Sequence, residues 1–529
     1  MISDLLLSIN DVMAGFSIQA ITFMMFASLL FLLALGLPVA FACGAVGVVF
    51  TAIMQGPYAL NLTTVKTFTM MVNYLLSAIP LFIFMACILE RSGLIEVIYE
   101  AIYQWMGGLK GGVAIATVFA CSLLAAMVGV IGASIVTMGV IALPEMLKRR
   151  YNKLIACGSI CAGGTLGILI PPSVMLIVYG LVDNSSIGRL YAGAFGPGFL
   201  LSGLFMVYVW IRCTINPTLG PPVPKEEQIP FKDKVKLLYG LIAPGILIFL
   251  VLGTIFLGIA SATEAAAVGC AGAIIISYAR RSMSIKKLIQ ASEATLKSSA
   301  MVLWTMFGAN VFVSLYIMIG GGRFVTDVLM GSGFSPWTII IIMQVILIFL
   351  GAFIDWTGII MLCVPIFGPI VRKLGFDPVW FGVLFATNLQ ISFLSPPFGY
   401  ALFYLKGVAP PNISTLDIWK SAFPFMGLQI IGTAITMFWF PLTMWLPSVL
   451  ITDHISTGGE AAAMNFGERI SSMLGIENLS SMKMFPEIII IICSGLVIAT
   501  IAFIIYGLIK GFQNTLVNEP PPGGGADPS

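Results

Sequence analysis

The amino-acid sequence predicts an all-α polytopic membrane protein made of two repeats of inverted topology. Of its 529 residues, 59% are hydrophobic and only 9% are charged, and the mean hydropathy of +1.04 lies far outside the range of soluble domains. Apolar runs long enough to cross a bilayer alternate with short polar connections. Landmark glycines and prolines of the first half recur about 225 residues later, which indicates an internal repeat.

Charge and metal-ligand residues exclude several other classes of protein. The net charge of +3 is too small to suggest a nucleic-acid partner. The nine cysteines are scattered through apolar stretches without metal-ligand spacing, and His454 is the single histidine. Because the sequence contains neither a serine-hydrolase nor a zinc-protease motif, we expect no enzymatic activity and no organic cofactor.

The first repeat is predicted at residues 17–211 and contains a re-entrant helical hairpin. Two half-length apolar runs within residues 112–147 are separated only by a stretch of small residues, as in helices that enter the membrane and turn back. A broken helix follows at residues 154–182, where Pro171 and Pro172 interrupt the apolar run. Proline removes a backbone donor and clashes with the preceding turn, so this pair predicts a discontinuous helix.

The second repeat, at residues 238–447, follows a cytoplasmic linker at residues 212–237 and shows the same order of elements. Its hairpin is predicted at residues 337–371. Its broken helix is predicted at residues 379–405, where Pro396 and the next proline interrupt the apolar run.

The C-terminal residues 448–529 depart from this plan. We expect an extracytoplasmic loop, one extra transmembrane helix at residues 486–510 and a tail rich in proline and glycine. The sequence leaves open whether the extra helix docks a partner subunit or lipid, or simply returns the C-terminus to the cytoplasm.

Corresponding landmarks in the two halves lie at nearly constant separations. The separation is close to 225 residues for each pair and varies by no more than ten residues. The matched pairs are Gly44 and Gly269, Gly47 and Gly272, Gly93 and Gly322, Gly132 and Gly351, and Pro171 and Pro396.

The distribution of positive charge predicts that the repeats are inverted. If the basic cluster at Lys148–Lys153 is cytoplasmic and the hairpins do not cross the membrane, most of the 26 lysines and arginines fall on the cytoplasmic side. With that count, the first hairpin enters from the cytoplasm and the second enters from the opposite face.

Inverted repeats with broken helices are typical of secondary transporters, whose binding sites lie at mid-membrane between the repeats. The N-termini of half-helices attract an anionic substrate, and unwound carbonyls bind a small cation. Sodium prefers such oxygen ligands. The predicted tips and breaks also supply hydroxyl groups, from Ser134, Thr137, Thr165, Thr357, Ser392 and Ser395.

Eight motifs, in matching order over both halves, carry a family resemblance. In the first half they are Gly132-Ala133-Ser134, Pro144-Glu145-Met146, the stretch from Ala162 to Ser173 and the stretch from Ser186 to Gly193. In the second half they are Asp355 and the stretches from Pro365 to Ile370, from Gly375 to Val383 and from Ser395 to Gly399. Over residues 20–447 the chain resembles the large membrane subunit of tripartite ATP-independent periplasmic (TRAP) transporters, in the ion transporter superfamily.

The resemblance implies an elevator-type transporter in the bacterial inner membrane, driven by a sodium gradient. It also implies two protein partners, a small membrane subunit and a periplasmic substrate-binding protein that delivers an organic acid. The stretch around Asp355-Trp356-Thr357 resembles a branch of the family associated with small carboxylates, namely 2-oxo or 2-hydroxy acids.

The resemblance places two sodium sites where each hairpin tip meets the break in the following helix. The residues assigned to sodium in the first half are Gly132, Ala133, Ser134, Thr165, Gly167 and Pro171. Those in the second half are Gly351, Asp355, Thr357, Ser392, Ser395 and Pro396. The residues assigned to substrate are Ser134, Thr137, Asp355, Thr357, Asn388 and Ser395.

Less specific interpretations of these residues stay open. Asp355, a carboxylate within an apolar region, marks a functional site by default, but it is also a good helix cap. The hydroxyls of Ser134 and Thr357 could bond only to nearby carbonyls. A stand-alone sodium/carboxylate symporter on the same plan is the main alternative function, and a channel or an intramembrane enzyme is less well supported.

Overall fold

The computed structural model describes residues 15–129, 131–396 and 399–450, and within these ranges the chain is helical and contains no strand. The α-helices of the first half are α1 (Ile18–Ala34), α2 (Val39–Gln55), α3 (Leu60–Met71), α4 (Ala78–Arg91), α5 (Leu94–Met106), α6 (Gly112–Val128), α7 (Ile131–Lys148), α8 (Lys153–Thr165), α9 (Val174–Asp183) and α10 (Ile187–Ile215). Those of the second half are α11 (Phe231–Leu238), α12 (Ile242–Phe256), α13 (Ala262–Ala279), α14 (Ile285–Met318), α15 (Gly321–Gly331), α16 (Pro336–Gly351), α17 (Trp356–Lys373), α18 (Pro378–Leu394), α19 (Tyr400–Val408), α20 (Thr415–Phe438) and α21 (Phe440–Leu450).

Within the described ranges, eight helical segments are long and apolar enough to cross a membrane. They are Tyr74–Arg91, Ile131–Lys148, Ile187–Ile215, Phe231–Phe256, Ala262–Ala279, Ile285–Met318, Trp356–Lys373 and Thr415–Phe438. The other apolar helices, including α6, α8, α9, α16 and α18, have 10–17 residues. The chain is therefore a polytopic helical membrane protein that combines full-length spans with shorter helices.

Helices α6 and α7, which we call the first helix pair, lie in the region of the predicted first hairpin and pack against each other. The first broken helix consists of α8, a 3₁₀ turn at Leu166–Ile168 and α9. Ser173 closes the break, because its hydroxyl accepts a hydrogen bond from the Leu176 N–H (3.3 Å) and donates one to the Ile168 carbonyl (2.5 Å).

Helices α16 and α17, the second helix pair, likewise pack against each other. The second broken helix begins with Pro378 at the first turn of α18, where the side chain of Asp377 accepts hydrogen bonds from two backbone N–H groups. Its first part, α18, ends at Leu394, and its second part, α19, begins at Tyr400. Pro171, Pro172 and Pro396 therefore lie between helices.

In two segments the helical structure extends beyond the apolar runs of the sequence. The predicted linker at 212–237 is partly helical, because α10 continues to Ile215 and α11 begins at Phe231. Helix α14 begins at Ile285, well before the long apolar run that starts near residue 299. The predicted extra helix at 486–510 and the tail lie outside the described residues.

The helix pair of each half of the chain packs against the broken helix of the other half. Helix α7 of the first half packs against α19 of the second, and α17 of the second half packs against α9 of the first. Glycines allow both close approaches: a Cβ atom at Gly139 would meet Val408 at 2.6 Å, and one at Gly368 would meet Asp183 at 2.5 Å. The ends of the broken helices therefore bind to the opposite half.

Four other helices form a frame beside this core. Helix α2 packs along α14, and α4 packs along α13. Small residues allow the close contacts, since a Cβ atom at Gly47 would lie 2.8 Å from the Phe312 nitrogen and one at Gly269 would lie 2.5 Å from the Met85 sulfur. The frame meets the core where α14 packs on α17 and α4 packs on α6.

Candidate transport site

A cavity of 130 Å³ lies between the tips of the two helix pairs, which are the turns beside Gly132 and Asp355, and the interruptions of the two broken helices. The frame helices α4 and α14 also line it. The residues that line it come from both halves of the chain. They are Ile83, Gly129, Ile131, Gly132, Ile168, Val174, Met175, Ser298, Met301, Val302, Asp355, Trp356, Thr357, Phe393, Tyr400 and Tyr404. Of the predicted site residues, Gly132, Asp355 and Thr357 contribute directly to this cavity.

Asp355 is the charged residue of the cavity wall. It caps the N-terminus of α17, where its Oδ2 accepts a hydrogen bond from the Thr357 N–H at 3.2 Å. The residue is only 6% exposed, and its second oxygen, Oδ1, has no hydrogen-bond partner among the described residues. Asp355 is thus a helix cap that also keeps one buried carboxylate oxygen available for a ligand.

Further oxygen atoms near the second tip are also available. The hydroxyls of Thr357 and Ser392 are buried and lack a hydrogen-bond partner within the described part of the chain. Ser392 lies directly against Gly351, where an added Cβ atom would collide with the serine side chain. Oxygen atoms buried without a partner are costly unless a cation or a polar ligand satisfies them.

The first tip meets the first break in a comparable way. Gly129 has a positive φ of 61°, and an added Cβ atom there would lie 2.5 Å from the Pro172 carbonyl oxygen. Gly132 lies under the ring of Tyr404, whose Cζ would be 3.0 Å from an added Cβ atom. The first tip therefore contacts its own break on one side and the second broken helix on the other.

Thr165 forms hydrogen bonds that direct it away from the cavity. Its single O–H is shared between the Ala162 carbonyl (2.8 Å) and Gln390 Oε1 (3.2 Å), and its oxygen accepts a hydrogen bond from Gln429 Nε2 (3.1 Å). Thr165 and both glutamines are completely buried. This cluster joins α8, α18 and α20 in the core of the molecule.

Asn388 lies nearly two turns before the end of α18 and binds the second helix pair. Its Nδ2 donates to the Gln344 carbonyl at 2.9 Å and to Gln344 Oε1 at 2.5 Å. Its own Oδ1 has no hydrogen-bond partner among the described residues. Asn388 holds α18 against α16 and does not line the cavity.

The other predicted residues surround the cavity without lining it. Ser395 donates its hydroxyl to the Ile391 carbonyl at 2.8 Å, the local bonding that a serine adopts at a helix end. Ser134 is buried, and Thr137 is half-buried on the same helix. The remaining predicted sodium-site residues are buried or half-buried. They are Ala133, Gly167, Pro171, Gly351 and Pro396.

Several important residues were missed by the sequence analysis. Trp356, Tyr400, Tyr404 and Met175 line the cavity, and Gln390 belongs to the polar core. The two tyrosines are four residues apart after the second break, a spacing that places them on one helix face. The amides lie within apolar helices, where a polar residue is itself a signal.

The cavity suits a small anion and sodium better than a transition metal. No described group of three or more His, Cys, Asp and Glu residues is arranged to hold a metal ion. The available ligands are carboxylate, hydroxyl and backbone oxygens, which hard cations prefer. None of the residues that line the described cavity is basic, so an anionic substrate would depend on helix N-termini, hydroxyls and bound cations.

Comparison with known families places the chain clearly. The profile of the family described as "Tripartite ATP-independent periplasmic transporter, DctM component" matches residues 26–442. The C4-dicarboxylate TRAP transporter large permease protein DctM of Vibrio cholerae is 28% identical over 82% of this chain and 100% of its own length. The protein of the same description from Pseudomonas aeruginosa is 30% identical over 76% of this chain and 92% of its own length.

Other relatives are named for other transported compounds. The sialic acid TRAP transporter large permease protein SiaM of Vibrio cholerae is 28% identical over 79% of this chain and 97% of its own length. Among solved structures, the YdaH transporter of Alcanivorax borkumensis has a similar fold, with a TM-score of 0.54 at 15% identity. That alignment covers 79% of this chain and all of the other.

Proposed function

This chain belongs to the family of the large permease component, DctM, of tripartite ATP-independent periplasmic transporters, and from that premise we propose that it catalyses sodium-driven uptake of an organic acid. The curated relatives are transporter permeases and not enzymes. The observation that carries the proposal is the cavity between the two tips, with the buried carboxylate of Asp355 in its wall.

Sodium coupling is supported by three oxygen atoms in the region of the second tip that are unpartnered among the described residues. Asp355 Oδ1, Thr357 Oγ1 and Ser392 Oγ are buried without hydrogen-bond partners in the described chain. A sodium ion would satisfy these oxygens and neutralise the carboxylate. We assign the second sodium site to this group with Gly351, Ser395 and Pro396, and the first to Gly132, Ala133, Ser134, Gly167 and Pro171, with Thr165 behind them.

Inverted repeats are supported by contacts that recur between the halves. Gly139 and Gly368 are 229 residues apart, and their contact residues, Asp183 and Val408, are 225 residues apart. Each glycine of one half thus meets the end of the broken helix of the other half. A pseudo-two-fold axis produces this reciprocal pattern.

An elevator motion is supported by the position of the cavity. Ser298 and Met301 of the frame helix α14 line it together with Asp355 and Tyr404 of the core, so the cavity lies between frame and core. Movement of the core along the frame would carry the bound substrate across the membrane while leaving its contacts with the tips intact.

The proposed substrate is a small carboxylate, a 2-oxo or 2-hydroxy acid. The cavity volume of 130 Å³ favours a short molecule, and Met175, Trp356 and Phe393 give it an apolar wall. Ser134, Thr137, Thr357, Asn388 and Ser395 complete the proposed set around Asp355. Relatives are named for C4-dicarboxylates, sialic acid and ectoine, so family membership leaves the compound open.

We propose that the chain works in the bacterial inner membrane with a small membrane subunit and a periplasmic substrate-binding protein, as the component name DctM indicates. The alternative is a stand-alone sodium/carboxylate symporter. Genes for a four-helix membrane protein and a secreted binding protein beside this one would favour the three-component system.

The test is uptake by proteoliposomes that contain the chain with both neighbouring gene products. Radiolabelled pyruvate, lactate, 2-oxobutyrate, succinate and ectoine are supplied with an inward sodium gradient or with potassium in its place. We expect accumulation of a short 2-oxo or 2-hydroxy acid only with the sodium gradient. Uptake that is equal in potassium would contradict sodium coupling, and uptake without the binding protein would favour the alternative.

A further inference from the structure

We propose that Gln390 is a positioning residue that couples the two cation sites through its hydrogen bond to Thr165. The inference rests on the proposed function and extends it, because sodium coupling alone does not require the two sites to communicate. Thr165 ends α8, and Gln390 lies in the last turns of α18. Their 3.2 Å hydrogen bond therefore joins the broken ends of the two half-helices directly.

The contacts that would couple the two cation sites begin at the tip of the first helix pair. An added Cβ atom at Gly164 would collide with the side chain of Ile135, so Gly164 packs tightly on α7. Ile135 follows Ser134 of the proposed first site, and Gly164 precedes Thr165. A displacement of the first tip is thus transmitted to Thr165 across one packed contact.

These contacts end at the tip of the second helix pair. Ser392 lies two residues after Gln390 and directly against Gly351. Gly351 ends α16, and Asp355 follows it by four residues. The two proposed sites are therefore connected by a continuous series of contacts through one hydrogen bond between the halves.

The position of this bond relative to the repeats supports the same inference. Thr165 and Gln390 are 225 residues apart, the separation of the proposed repeats. Residues at equivalent positions of two repeats meet only close to the axis that relates them. A bond at that place responds equally to either site, which is what reciprocal coupling requires.

The surroundings make the bond sensitive to displacement. Thr165, Gln390 and Gln429 are fully buried, so water does not replace a lost partner. Gln429 Nε2 also binds Thr165, while Gln390 Nε2 and Gln429 Oε1 have no hydrogen-bond partner in the described chain. A buried network with vacant donors and acceptors has alternative arrangements that a small shift can select.

The test is equilibrium binding of radioactive sodium to the full-length chain in lipid nanodiscs, with choline chloride keeping the ionic strength constant. Gln390→Met removes the amide at similar volume, and Thr165→Val removes the hydroxyl at equal shape. Thr165→Ser keeps the hydroxyl. Thr387→Val is the matched control, because among the described residues the buried Thr387 hydroxyl bonds only to the Val383 carbonyl of its own helix.

We expect a Hill coefficient of about 2 for the natural chain, the Thr165→Ser variant and the Thr387→Val variant, since the coefficient reaches at most the number of sites. We expect a Hill coefficient of about 1 for Gln390→Met and for Thr165→Val, with the amount of sodium bound at saturation unchanged; a lower amount would mean that a site is lost and would overturn the coupling role. If Gln390→Met yields no folded protein, the contrast between Thr165→Val and Thr165→Ser decides.

The outcomes distinguish this inference from the proposed function. A Hill coefficient of sodium binding that is unchanged in Gln390→Met or Thr165→Val would overturn the coupling role. Sodium binding as part of the proposed function would still stand. A natural chain that binds sodium with a Hill coefficient of about 1 would also overturn the coupling role. A natural chain that binds no sodium would instead contradict the proposed function.

Discussion

At the scale of single residues, the two oxygens of Asp355 have different surroundings. Oδ2 accepts the Thr357 N–H as an N-cap, whereas Oδ1 is buried without a partner in the described chain. The cap stabilises the start of α17, and the second oxygen supplies negative charge to the cavity. Different substitutions can therefore separate the capping role of this side chain from its proposed binding role.

We predict that Asp355→Asn lowers the affinity for sodium by about ten-fold or more, because a charge-assisted ligand contact is worth about 1.5–3 kcal/mol. Asparagine keeps an acceptor oxygen for the cap, so the thermal unfolding midpoint should change little. Equilibrium binding of radioactive sodium and a thermal melt measure the two effects.

Asp355→Ala is the matched comparison. It should lose sodium affinity to the same extent and also about 1 kcal/mol of stability, because the cap is lost. Equal sodium affinity in the natural chain and both variants would show that Oδ1 contributes nothing to binding.

The sequence analysis could identify Asp355 because a carboxylate between long apolar runs is costly and therefore conspicuous. It could not assign the role of Thr165, whose partners Gln390 and Gln429 lie 225 and 264 residues away. Neutral amides carry no charge pattern, and their pairing depends on how distant helices cross. The polar core therefore became visible only in the folded structure.

At the scale of helices, the tips are held by glycines that leave no room for a side chain. Gly351 lies against the side chain of Ser392, and Gly129 lies against the Pro172 carbonyl. Each glycine fits the turn of a helix pair into the break of the helix that follows. The geometry of the proposed cation sites depends on these close approaches.

We predict that Gly351→Ala destabilises the fold by about 1–3 kcal/mol, the usual cost of overpacking. The added methyl group must displace Ser392, so sodium affinity should fall as well. The thermal unfolding midpoint and sodium binding in nanodiscs are the measurements.

Gly407→Ala is the control for that change, because Gly407 lies on the exposed side of α19 with no atom within 4 Å of an added Cβ. This substitution should preserve sodium binding and raise stability by up to about 1 kcal/mol, since alanine favours helices. Similar effects of the two substitutions would contradict a specific role for the contact between Gly351 and Ser392.

Hydropathy and proline predicted where helices break, but less accurately where they begin. The proline pair at Pro171 ends a helical segment for a local reason that the sequence displays. Helix α14 begins at Ile285, before the apolar run near residue 299, and its first turns contain Lys286, Lys287 and Glu293. Those residues favour a helix as readily as apolar ones do, yet a search for apolar runs does not include them.

At the scale of the whole molecule, the reciprocal packing of the two halves has a direct topological consequence. The Lys153 ammonium group donates to the Asn412 carbonyl, and the Arg372 guanidinium group donates to the Asp183 carbonyl. Each basic residue lies near the end of a helix pair of one half. Arg372 binds the last residue of the broken helix of the other half, and Lys153 binds four residues beyond the corresponding end at Val408. If the repeats are inverted, these two hydrogen bonds lie at opposite faces of the membrane.

We predict that a cysteine in place of Lys373 reacts with a membrane-impermeant maleimide from outside intact spheroplasts, and that one in place of Lys148 reacts only after permeabilisation. Both side chains are exposed at the ends of α17 and α7. The eight described native cysteines are buried, which keeps the background labelling low. Labelling of Lys373→Cys and Lys148→Cys from the same face would mean that the helix pairs enter from one side. The reciprocal contacts would then require a parallel relation between the halves, and alternating access between inverted repeats would be excluded.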